Sequence, residues 1–308
     1  MFSLNDPTQN HLDTTAAESD AVPTWLRYLR TKAGRLVSLL VVFLAVEALG
    51  VGSLAQLGAT TNPFRALLTL VLGVAVAYGA LRLYQVLIGR IEQRDATELP
   101  AATAASGLRR GAVLGIVLFT VTIALIAMFG GYRAHGWGSF WAGVATLGVS
   151  GIAAAAVEEL MFRAVLFRIV EEWAGTKAAL VVSALVFGLL HLVNPDATVG
   201  GALAIAIEAG LMLGAVYAAT RSLWLPIGLH LGWNLAEGGL FGVTVSGSAS
   251  HGPSGLLDGA VTGPALVSGG QFGPEASIFS ILVCGVATVY FLRQASREGN
   301  IRPRQTAR

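Results

Sequence analysis

The chain alternates long apolar runs with short polar connections. Eight apolar segments stand out, at about 36–57, 65–88, 110–130, 140–172, 178–194, 199–219, 222–242 and 276–293. Each is long enough to approach the roughly 20 apolar residues that a membrane-crossing helix needs. The pattern therefore predicts an all-α, polytopic membrane protein: a bundle of eight transmembrane helices. Residues 1–24 are polar and acidic, with Asp6, Asp13, Glu18 and Asp20, and cannot bury a core. The basic cluster Arg27, Arg30, Lys32 and Arg35 follows that stretch, which is the wrong order for a signal peptide. The domain reading is a disordered cytoplasmic tail over 1–30, an eight-helix membrane domain over 31–295 and a basic cytoplasmic tail over 296–308. The connection 243–275 is rich in Gly, Ser and Pro, has no Lys or Arg, and reads as a surface loop.

Composition agrees with the pattern. Of the 308 residues, 54% are hydrophobic and 12% charged, and the mean hydropathy is +0.67. A soluble domain carries about twice that charge. A formal charge of +2 gives no basic field for nucleic acid, so the partners expected are the lipid bilayer and a membrane-bound protein or peptide. The single cysteine, Cys284, excludes an internal disulfide. Arg is favoured over Lys, with only Lys32 and Lys177 as lysines, which reads as the bias of a prokaryotic genome.

Charge position gives an orientation. With the N-terminus in the cytoplasm, sixteen basic residues fall in the tails and inner connections, and only Arg65 and Arg133 fall outside, with Arg82 and Arg163 inside helices. This is the positive-inside asymmetry, and a miscounted helix would scramble it. It predicts the plasma membrane of a prokaryote with both termini cytoplasmic. Trp25, Trp173 and Trp224 then sit near the inner interface, and Trp137 and Trp141 near the outer one.

Five carboxylates lie inside apolar runs: Glu47, Glu158, Glu159, Glu208 and Glu237. Each costs roughly 2.5–3.5 kcal/mol at a helix centre, so each calls for a partner or a wet cavity. Glu159 and Arg163 are four apart and can pair, which leaves the adjacent Glu158 turned about 100° away. The alternative is an ion-pair lock between helices. Phe187 and His191 also stand four apart, as do His230 and Asn234. Counting about 1.5 Å per residue from the inner helix ends, Glu158, His191, His230 and Asn234 reach similar depths of roughly 12–20 Å. That is the geometry of one buried, water-containing site.

Such a set suits hydrolysis. A carboxylate in a low-dielectric pocket can act as a general base, and a neutral His beside it can hold the water or shuttle its proton. A second His and an Asn amide suit an oxyanion. No activated Ser or Cys accompanies the histidines, so water is the nucleophile. Glu158, His191 and His230 could also supply three ligands to a divalent metal such as Zn²⁺, although no HExxH is present.

The motifs "EELMFR", "FGLLH" and "HLGWN" match EExxxR, FxxxH and HxxxN, in order on three apolar segments. The chain resembles the CAAX-protease and bacteriocin-processing family, also called Abi, which includes the Ras-converting CAAX endoproteases. The resemblance covers about 110–293 and all three motifs are intact. It implies an eight-helix intramembrane endopeptidase, usually labelled a metalloprotease. It also implies Glu158 as the base, helped by His191, with His230 and Asn234 at the oxyanion and Glu159, Arg163 and Phe187 shaping the site. Glu208 and Glu237 are candidate cavity-lining residues, the latter because it lies two turns beyond His230. For Glu208 a helix–helix hydrogen bond is the alternative, and Glu47 reads as a packing contact or a protonated carboxyl. His11, His135 and His251 read as solvated. Competing functions are a non-catalytic scaffold or bacteriocin-immunity protein on the same fold, and a proton-coupled transporter. The intact polar set argues against the first. The lack of repeats and broken helices argues against the second.

Overall fold

The computed structural model describes residues 23–248 and 255–304. Most of the expected disordered tail, together with His11 and His251, lies outside them. The tail does not stay unstructured up to residue 30, because Thr24–Arg30 form a short helix, α1. The longer helices are α2 (Lys32–Gly58), α3 (Pro63–Ile91), α4 (Ala101–Met128), α5 (140–174), α6 (176–193), α7 (Val199–Thr220), α8 (224–240) and α9 (Ile278–Arg297). Each predicted apolar segment is helical over most of its length.

Among the described residues six helical segments are long and apolar enough to cross a membrane; α5 and α6 count together among them as Phe140–Val193, and α8 is too short to be included. The joined segment is nevertheless a hairpin. Gly175 adopts φ 80° and ψ 170°, which a glycine tolerates and other residues do not. In a straight helix Phe162 and Phe187 would be about 37 Å apart, yet their rings stand 4.8 Å apart.

The outer faces carry the apolar side chains that a soluble protein would bury. Val37, Val41 and Leu44 on α2, Val113, Val117 and Val121 on α4, and Leu282, Val286 and Val289 on α9 are all exposed. These rows recur at helical spacing and describe a lipid-facing belt. Inside, helices touch through small residues. Gly111 and Gly115 of α4 face Gly228 and Gly232 of α8 so closely that an added Cβ at any of the four would run into backbone of the other helix. This is small-xxx-small packing, and it seats α8, the carrier of "HLGWN", against α4.

The two ends of the bundle differ. At one end β1 (Tyr132–Trp137) pairs antiparallel with β2 (Leu257–Val261). The connection 243–275 is thus not a plain surface loop. Phe272 is buried, and Glu275 is drawn inward as acceptor of Trp233 Nε1 at 3.2 Å. His135 stays exposed on β1.

The other end is arginine-rich and laced with ion pairs. Glu92 meets Arg168 at 2.5 Å and Arg94 at 2.7 Å. Arg35 meets Glu172 at 2.7 Å, and Arg221 meets Glu171 at 2.6 Å. The C-terminal stretch is not a free tail. Just after the Gly175 turn Arg302 N donates to Thr176 Oγ1 at 2.8 Å and Thr176 N donates to Arg302 O at 3.0 Å, and Asn300 Nδ2 donates to Ala219 O at 2.9 Å.

Glu92 sits just beyond the end of α3. Burial works to raise its pKa, but Arg168 and Arg94 outweigh burial and hold it below the ordinary 4.5. A carboxylate with a lowered folded pKa stabilises the fold above its unfolded pKa, and that contribution is lost as pH falls through the folded value. Glu92→Gln is therefore expected to melt below wild type at neutral pH, with the gap closing in acid. Melting curves of both proteins across that range check it, and a gap that widens in acid would contradict the assignment.

Candidate active site

Glu158 and Glu159 stand near the middle of α5, between two π-helical turns at Leu147–Ala154 and Leu160–Phe167. Such wide turns collect at functional sites, because they re-aim the residues that follow. The four-residue spacing does what it promised. Arg163 Nη1 meets Glu159 Oε1 at 3.0 Å with both side chains 0% exposed. Arg163 Nη2 also donates to Ala209 O and Gly210 O, each at 3.2 Å. The guanidinium lies 5.0 Å from the centre of the Phe187 ring and 5.8 Å from that of Phe162. One side chain thus ties α5 to α6 and α7.

His230 joins the two glutamates. Its Nδ1 is 3.1 Å from Glu159 Oε1, and its Nε2 is 4.0 Å from Glu158 Oε2. His191 Nδ1 is 2.8 Å from Phe187 O. A carbonyl only accepts, so that nitrogen carries the proton and Nε2 keeps a lone pair. Asn234 Nδ2 donates to Ser150 O at 3.0 Å, which binds α8 to α5 and leaves a second N–H on the same nitrogen.

Glu158, His191, His230 and Asn234 all line one cavity of about 420 Å³. At about 30 Å³ per water it has room for roughly a dozen. It brings residues of all three motifs together. Phe187 stands behind it, with its ring 4.7 Å from that of His191 and 6.2 Å from that of His230.

Two expectations need correction. Glu237 is fully buried and does not line this cavity. It follows the start of a π-helical turn, Leu235–Leu240, which rotates it away from the face that a regular count of seven assigns it. Glu208 lines a separate space of about 10 Å³ behind the site, together with Glu275, His230 and Asn234. That is about the size of one water. Outside the spans, burial raises the Glu275 pKa.

Three cavity residues lie outside the motifs read from the sequence. Glu47 of α2 faces the cavity with its Oε2 buried and without a hydrogen-bond partner, so it is not a packing contact. Ser150 and Ser246 line the same wall. The charge of Glu47 in an apolar run was the available signal, but helical spacing on α2 gives no link to a site some hundred residues away. Among the described residues no group of three or more His, Cys, Asp and Glu side chains comes together as a metal-binding set. Glu158, His191 and His230 share the cavity without forming a three-ligand cage.

A helical membrane protein with a carboxylate–histidine–amide cavity is the class that these observations define. Residues 139–236 match the family model of type II CAAX prenyl endopeptidase Rce1-like proteins. The match spans about a third of the chain and contains all three motifs. That segment is similar to the CAAX-type intramembrane endopeptidases. No curated protein and no solved structure matches the chain.

Proposed function

We propose that the protein is an intramembrane endopeptidase that hydrolyses a peptide bond of a membrane-associated protein or peptide. The observation that carries this reading is the convergence of Glu158, His191, His230 and Asn234 on one water-sized-to-peptide-sized cavity. In this reading the bundle spans the membrane eight times, with Phe140–Val193 crossing as a hairpin and α8 crossing despite its shortness. Both termini face the cytoplasm of a prokaryotic cell.

The chemistry follows from the hydrogen bonds. Glu158 takes a proton from a cavity water, and the hydroxide attacks the scissile carbonyl. His191 accepts from the same water through the lone pair on Nε2 and fixes its position. Glu159 accepts a hydrogen bond from His230 Nδ1–H, which orients the ring and supports an imidazolium whose Nε2–H points at the developing oxyanion. The free N–H of Asn234 supplies the second donor. With Glu158 and Glu159 negative and Arg163 and His230 positive, the set sums to zero charge, which limits the cost of holding it in a membrane. Glu158 then passes its proton to the leaving amine.

The test compares membrane proteomes of cells carrying wild type or Glu158→Gln. Expected is a peptide whose C-terminal segment disappears only with wild type. Identical proteomes would sink the hydrolase reading.

A further inference from the structure

The cavity is not centred between the two ends of the bundle. Its floor is Met161 and Phe162, 2% and 1% exposed. Its rim is open. Val193 is 82% exposed, and Ala48 and Ser248 are exposed beside it. Val193 and Asn194 stand at the end of α6, and Val245, Ser246 and Ser248 stand just beyond α8. Asn194 Nδ2 donates to Ser246 O at 2.6 Å, so these two helix ends share one rim. The β-ribbon lies at the same end: Leu256 N, at the start of β2, donates to Gly239 O at 2.8 Å.

The basic residues cluster at the opposite end. Arg35, Arg168 and Glu172 join there, and Arg221 and Arg302 meet Glu171 around the Gly175 turn. Trp224 Nε1 donates to Pro100 O at 2.9 Å, which brings the connection carrying Arg94 and the start of α4 to this end as well. The rim end has Arg65 in the first turn of α3 and Arg133 on β1. The site therefore opens towards the arginine-poor end.

The positive-inside bias places an arginine-rich end in the cytoplasm. We infer that the cavity is entered from the non-cytoplasmic face, and that its substrates are membrane-anchored chains whose cleaved bond lies at the outer side of the bilayer. The word substrate rests on the hydrolase reading; the direction of opening does not. The rim suits such a chain. Leu44 and Ala48 of α2 form an exposed apolar side wall, while Asn194, Ser246 and Ser248 form a polar, uncharged lip. A segment half in lipid and half in water meets both. A soluble C-terminus on the cytoplasmic side would face the ion-paired end and the closed floor.

Thiol labelling in cells reads the opening without any proteolysis. Cys284 is buried and is the chain's single cysteine, so Cys284→Ala gives a silent background. Val193→Cys and, as the opposite-end reference, Arg304→Cys are made in it and treated with a membrane-impermeant maleimide. Expected is labelling of Val193→Cys in intact cells and of Arg304→Cys only after permeabilisation. The reverse order overturns the inference, and so does a Val193→Cys protein unreactive in both conditions, which would mean a closed rim. A second arm uses single-span reporters with one randomised juxtamembrane segment, anchored in either orientation. Cleavage of the outward-facing set by wild type and not by Glu158→Gln supports the substrate class, and cleavage of only the inward-facing set overturns it. Outward labelling with neither set cut would leave the opening standing and count against the hydrolase.

Discussion

Glu158→Gln is expected to leave the helix bundle intact and to cut proteolysis by roughly 10²–10⁴-fold, the usual worth of a general base. That loss corresponds to about 3–5.5 kcal/mol in the barrier. Glutamine keeps the shape and one carbonyl oxygen but cannot take a proton from water. The side chain is 14% exposed and faces the cavity, and no ion pair to Arg163 depends on it. Folding therefore has little to lose. Asn234→Ala removes a donor to the oxyanion, typically about 10²–10³-fold in turnover, but it also breaks the bond to Ser150 O. Its melting temperature should fall where that of Glu158→Gln does not. The measurement is turnover of a membrane-anchored peptide by each purified variant with melting recorded in parallel. Suppose Glu158→Gln turned over like wild type while Glu159→Gln folded but was dead. The two glutamates would then have exchanged roles.

The sequence made the site legible through spacing on single helices. Glu159–Arg163, Phe187–His191 and His230–Asn234 are each four residues apart, and a helix brings such pairs together whatever surrounds them. Rise per residue is nearly constant, so depths on three separate helices can be compared on one scale. What escaped was whatever depends on a change of helical register or on a distant partner. Glu237 was placed by counting seven residues, and the π-helical turn after Asn234 upsets that count. Glu47 reaches the cavity from α2, and nothing on α2 announces it. The connection 243–275 reads as a surface loop because Gly, Ser and Pro dominate it. Its few large residues decide otherwise: Leu257 lies in the strand that pairs with β1, Phe272 is buried, and Glu275 meets Trp233. At the arginine-rich end the basic residues were read for orientation alone. Their partners are Glu92 and Glu98 in the connection after α3 and Glu171 and Glu172 at the end of α5, and Glu98 is bonded by Tyr84 and Arg94.

Arg163→Ala is expected to cost folded protein as well as activity. The guanidinium is 0% exposed and holds Glu159 at 3.0 Å and the carbonyls of Ala209 and Gly210 at 3.2 Å. Those carbonyls belong to the π-helical turn Ala206–Leu211 of α7, where the backbone ladder is already irregular. Truncation leaves a buried carboxylate without its cation, which costs roughly 3–5 kcal/mol in soluble proteins. Part of this is recovered in a membrane, where the unfolded reference also finds partners. Lysine cannot restore the arrangement, because one ammonium does not reproduce the fork that reaches a carboxylate on one side and two carbonyls on another. The informative comparison is therefore a cycle with Glu159→Gln. If the pair is what stabilises the bundle, the double variant Glu159→Gln with Arg163→Met should melt above the Arg163→Ala single variant, since it buries no lone charge. Activity should stay low in both: the double variant lacks the carboxylate that orients His230 Nδ1, and in the single variant that carboxylate has lost the arginine that holds it. A well-folded, fully active Arg163→Ala protein would remove the structural role. A double variant no more stable than the single would mean that the two carbonyl bonds, and not the ion pair, are what Arg163 contributes.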